Sequence, residues 1–177
     1  MNRVSAIAAS TLLTLWSVPA WSVPALAQSS ERLLTSGCSQ GNCWESYVIE
    51  QAILQQRYVE DDLTTLYRVE TVMRSLQTAS QPRTEWVQCS TRQPFVAFES
   101  PDRSSVTLQY VSPGVAATVD NENAHQLYWA ICHNQWNANV RNPELGLAFL
   151  AFQLGYPPRL NQLEREVPIA RFIPAQQ

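Results

Sequence analysis

The sequence predicts an α+β domain: a small, mainly antiparallel sheet of about five strands, one or two helices packed on one face, and disulfides stapling the layers. Three observations predict it. Runs with a two-residue apolar period come first and helix-forming runs follow them. The strand-like runs are short, rich in aromatic and β-branched residues, and separated by turn residues. The chain also carries 4 Cys, an even number, behind a stretch that resembles an export signal.

That stretch opens with Asn2 and Arg3, continues as an apolar run over residues 4–18, and reaches Ala25-Leu26-Ala27, which fits the small-x-small rule of signal cleavage. Residues 1–27 are therefore expected to be a signal peptide and the mature chain to be secreted or periplasmic. No transmembrane segment is expected in it, because the apolar run falls short of the roughly 20 residues a span needs and is followed by Pro19 and Pro24. Thr35-Ser36-Gly37-Cys38 lacks a branched apolar residue three before the Cys, so Cys38 is read as a thiol and not as a lipid anchor.

Residues 28–37, QSSERLLTSG, are largely small and polar and predict a flexible leader, with a single globular domain over 38–158 and an extended C-terminal tail over 159–177. In CSQGNC the pair Gly41-Asn42 supplies turn chemistry for a local Cys38–Cys43 bridge, which leaves Cys89 for Cys132. Three connectivities are formally open, and this one is preferred. WESYVIEQAIL at 44–54 fits both periods and is read as strand. LTTLYRVETVMRSL at 63–76 alternates clearly, with Thr65, Tyr67, Val69, Thr71 and Met73 on one side.

After a loop at 77–83 come TEWVQCS, PFVAFES and SSVTLQYV, the last two joined by the turn SPDRS. Phe95–Phe98 is apolar throughout, as in a central strand covered on both sides. Ser112-Pro113-Gly114 closes the run of strands. Asn123 and Gln126 imitate a capping box for a helix over 124–134. A second helix is framed by Asn142 as N-cap, Pro143 at the first position and Gly155 past the end.

Composition excludes some partners. With 12 basic against 15 acidic residues, a net charge of −3 and no Lys, the chain lacks the concentrated positive charge of a nucleic-acid binder, and its Arg residues are too scattered for an anionic membrane face. No Gly-rich phosphate loop and no G-x-S-x-G are present, so no cofactor is expected and serine chemistry is not signalled. Cys132-His133 is not a nucleophile pair: sequence neighbours point about 100° apart on a helix, and the bridge to Cys89 consumes the thiol. His125 and His133 lie about 12 Å apart along a helix, too far for one metal ion.

Two functional readings survive. The leading one is an exported, disulfide-stapled interaction or binding module whose partner is a protein or glycan. His125, Trp129, Cys132 and Trp136 form one helical stripe in which Trp129 faces the core and Trp136, among Asn and Gln, is the candidate binding residue. The alternative is a small secreted hydrolase using Glu122 and His125, three apart on a helix face. Glu85, Glu99 and Glu122 are a further set of carboxylates that folding could bring together. WVQCSTRQPFVAF followed by VTLQY resembles the small secreted β-barrels that inhibit lysozymes, but the Ser-Gly-rich loop and Trp-x-Lys-Gly segment of those inhibitors have no counterpart, so no residue role is carried over.

Overall fold

Alternating side chains build a seven-stranded antiparallel sheet whose strand order follows the chain: β1 (Arg32–Ser39), β2 (Asn42–Val59), β3 (Asp62–Ser75), β4 (Arg83–Cys89), β5 (Phe95–Glu99), β6 (Ser105–Tyr110) and β7 (Glu164–Pro168). The computed structural model describes residues 31–75, 78–158 and 164–172. The expected signal peptide and its cleavage site lie outside them. Helices α1 (Glu122–His133) and α2 (Glu144–Gln153) lie between β6 and β7 in the chain, and a single turn, α3 (Ile169–Phe172), follows β7.

The two first turns are dictated by backbone chirality. Gln40-Gly41 and Glu60-Asp61 all have positive φ, at 49°, 82°, 48° and 68°, which is what two-residue hairpins require so that their twist matches the strands. Cys38–Cys43 ties the first of these hairpins, and Cys89–Cys132 ties β4 to α1.

The sheet has two apolar faces because β4–β6 alternate. Val69, Val87 and Val96 point to one face and pack with Leu127, Tyr128, Trp129 and Ala130 of α1, together with Ala151 and Tyr156 in and after α2. Trp86, Ala97 and Leu108, which stand in register across β4, β5 and β6, point to the other, where Ile169 and Phe172 cover them. Both long helices therefore serve one face, as expected for this class.

The sequence expectation is corrected at both margins. The sheet has seven strands and not five. Residues 32–37 are strand and not loose leader, with Leu34 and Thr35 buried. The tail over 159–177 does not simply trail beyond the domain: Glu164–Pro168 pairs with β6, and Pro168 is tolerated because β7 is the outer strand and needs no outward N–H.

Helix α1 begins two residues before the expected start, with Asn121 at its N-cap, so Asn123 lies inside the helix and Gln126 instead donates to Glu122 one turn back. It ends at His133, where Asn134 takes the left-handed conformation that Asn tolerates. The N-cap of α2 is Pro143, one residue later than expected, while Gly155 does stand beyond its end with φ +83°.

Candidate functional site

Parity along β4 places a carboxylate where apolar residues are the rule. Cys89 faces α1, so Val87 and Glu85 face it too, and Glu85 stands in register with Val69 on β3 and Phe98 on β5. Thr71 Oγ1 donates to Glu85 Oε1 at 3.1 Å. Burial pushes the Glu85 carboxyl up to about 7, only partly opposed by the Thr71 bond and the Arg83 charge.

Two cavities meet at this group. One, of about 250 Å³, opens toward the β5–β6 turn between Pro82, Glu99, Ser100 and Arg103. The other, of about 240 Å³, runs beneath the start of α1 between Trp44, Ser46, Thr71, Met73 and Asn123. Both are lined by Arg83, Glu85 and Phe98, so they adjoin as two arms about a shared wall; each alone falls short of the roughly 300 Å³ at which small-molecule sites begin, and only together do they reach it.

The Trp44 wall depends on a glycine. Gly37 is the β1 partner of Trp44, and a Cβ there would come within 2.7 Å of the indole, so only Gly lets the ring lie against β1. An aromatic wall, hydroxyls from Ser46 and Thr71, and a protonatable carboxyl thus line one cleft.

Glu85 titrates against the fold, which gives a direct expectation. Its folded value lies above the ordinary one, so the folded state holds an extra proton between about pH 4.5 and 7, and stability falls as pH rises through that window. Glu85→Gln is expected to stabilise the domain by about 2 kcal/mol at pH 8, with the difference vanishing near pH 4.5. Urea unfolding at the two pH values checks it. Equal midpoints for both proteins at pH 8 would refute the raised carboxyl at Glu85.

The structure places the candidates from the sequence as follows. Trp136 lies past the end of α1, partly buried, with Nε1 donating to Asn134 Oδ1 at 2.7 Å and the Arg32 guanidinium 3.9 Å above its ring. One of its faces is thus covered by β1. Glu122 is engaged by Gln126 and by Arg141 at 3.8 Å, and it does not line either arm of the cleft. His125 is only 1% exposed, and burial lowers its pKa to about 4. A substrate has no surface of that imidazole to meet.

His133, beside the oxidised Cys132, accepts or donates through Nε2 at 2.7 Å to Tyr156 Oη, which in turn is 2.5 Å from Tyr128 Oη. Tyr128 Oη donates to the Ser90 carbonyl. Burial raises both phenols, Tyr156 to about 12, so neither ionises near neutral pH. This chain of rings joins α1, the segment after α2 and the end of β4.

Of the three carboxylates considered together, the fold brings Glu85 and Glu99 to one arm and leaves Glu122 on the helix. Glu85 was singled out by no spacing rule. Its signal was parity with Cys89: once that Cys faces the helix, the residue four earlier on a strand faces it as well. Among the described residues no three His, Cys, Asp or Glu side chains are grouped to hold a metal, and no helix is long and apolar enough to cross a membrane.

No family model, curated protein or solved structure matches this chain. The likeness to lysozyme inhibitors therefore carries no argument, and the functional reading rests on the cleft.

Proposed function

We propose that the protein is an exported, disulfide-stapled binding module whose ligand sits in the two-armed cleft around Glu85 and is a glycan. The observation that carries this reading is the half-buried carboxyl at the junction of the two arms. A carboxyl that titrates near 7 both donates and accepts hydrogen bonds below that pH, which suits neutral hydroxylated ligands better than ions. Trp44 and Phe98 supply apolar walls for the faces of a sugar ring, and Thr71, Ser46 and Arg83 supply polar edges. The disulfides support the compartment, since such bonds persist in oxidising surroundings.

Nothing in the geometry favours hydrolysis by Glu122 and His125, the one engaged by Arg141 and the other sealed in the core. Trp136 keeps a secondary place as a binding residue, because one face of its ring is stacked under Arg32.

Calorimetric titration with a panel of defined oligosaccharides tests the reading. Glu85→Gln and Trp44→Ala are each expected to weaken binding about tenfold or more, whereas Trp136→Ala changes it little. Binding should also weaken as pH rises through 7 in the native protein and lose that dependence in Glu85→Gln. Loss of binding in Trp136→Ala alone would move the site to the end of α1. Turnover of an oligosaccharide that stops in Glu85→Gln would replace the binding module with an enzyme.

A further inference from the structure

β2 is far longer than its outer neighbour. β1 pairs with it only from Asn42 to Val48, where Arg32 is the last partner, so from Ile49 onward the outer edge of β2 has no partner strand among the described residues. Residues 50–59 are exposed on both faces of the sheet, and apolar side chains stand among the polar ones: Ile53 is 57% and Tyr58 76% exposed, with Leu54 and Val59 beside them. Bulges at Ile49 and Leu54 re-aim side chains along this stretch. An open, partly apolar edge of this length offers a row of backbone donors and acceptors to another strand.

We propose that this edge pairs with the same edge of a second copy of the chain, antiparallel about a twofold axis. Charge selects the register. The stretch carries one acid and one base, Glu50 and Arg57, separated by QAILQQ. A single self-antiparallel register sets Glu50 opposite Arg57 of the second copy, and symmetry makes that contact twice. Because Leu54 is a bulged extra residue, Glu50 and Arg57 share a face, and the same register sets Gln51 opposite Gln56, Ala52 opposite Gln55 and Ile53 opposite its own copy at the axis. The paired stretch runs from Glu50 to Arg57; beyond it Tyr58 and Val59 of each copy come level with the Val48–Arg32 pairing of the other, so the tip of the β2–β3 hairpin must bend out of the sheet plane there. The sheet then continues from one copy into the other.

The test is sedimentation of the exported protein at micromolar concentration, with hydrogen exchange on the same samples. The native protein is expected to be a dimer whose amides over 51–57 exchange faster on dilution. Glu50→Arg or Arg57→Glu alone sets like charges together twice and should weaken the dimer about tenfold or more, while the two substitutions together restore it. Both side chains are exposed, and circular dichroism confirms that each variant is folded. A native protein that stays monomeric would overturn the proposal, whether its edge is bare or is protected by the chain's own N-terminal residues or by another protein. So would a dimer in which both single reversals and the double reversal behave alike.

Discussion

Replacing Cys89 and Cys132 together by Ala should lower stability by about 4 kcal/mol, because the bridge closes a loop with a sequence separation of 43. The loss falls on one joint. β4 carries Val87 and Glu85, α1 carries Leu127, Tyr128 and Trp129, and the bridge holds the strand and the helix in register with each other. Removing Cys38 and Cys43 should cost about half as much, since that loop spans a separation of only 5 and its turn is already set by Gln40 and Gly41. Urea unfolding of both double variants beside the native protein decides the order. A larger loss for the Cys38–Cys43 pair would mean that the β1–β2 hairpin, and not the helix-on-sheet joint, limits stability.

The second large effect is acid lability. Burial holds His125 and His133 at about 4, below the ordinary imidazole value, so the unfolded chain binds protons that the folded one refuses. Stability is complete above pH 6.5 and drains away as pH falls toward 4, by about 2–3 kcal/mol for His125 alone. His133 is less enclosed and adds a smaller share. Glu85 works in the opposite sense between pH 7 and 4.5, so one carboxyl partly offsets two imidazoles. In His125→Leu the fall between pH 6.5 and 4 should be visibly shallower than in the native protein, whatever its stability at pH 7.5. An unchanged slope would remove His125 from the account.

What could be read from the sequence follows from where solvent lies. β3 to β6 announce themselves because both their neighbours are strands and each of their faces has a definite fate: Val87 and Val96 to the helices, Trp86 and Ala97 to the opposite face. The outer strands do not. β1 buries Leu34 and Thr35 in succession around a bulge, which breaks the two-residue period, and β7 is EREVP, with only Val167 reaching an apolar cluster. The run over 44–54 fits both the strand and the helix period for the same reason, since bulges at Ile49 and Leu54 shift the parity of β2 twice.

The site was harder to read. The helical stripe places Trp129 in the core, as the structure has it, but carries on to Trp136, which lies beyond the left-handed turn at Asn134 and meets Arg32 instead. In the sequence Glu85 stands only as one of three carboxylates, with nothing to set it apart, because an isolated Glu in a strand is normally a solvated one. Only the pairing of Cys89 with Cys132 shows which way it points.

The sequential order of the seven strands bears on how the chain acquires its shape. Every pairing joins consecutive strands, and five of the six are linked by short connections, so most of the sheet can zip from neighbour to neighbour with little loop entropy to overcome. Polypeptide emerging with its N-terminus first meets, at each step, an edge that has just been completed. Only β7 must wait, because both helices intervene between it and β6. Until it arrives the nascent sheet is open at β6, and the side chains of Val106 and Leu108 lack the cover that Val167, Ile169 and Phe172 later provide. A holding chaperone that acts on this protein would find its best target there, in the interval between synthesis of Tyr110 and of Glu164.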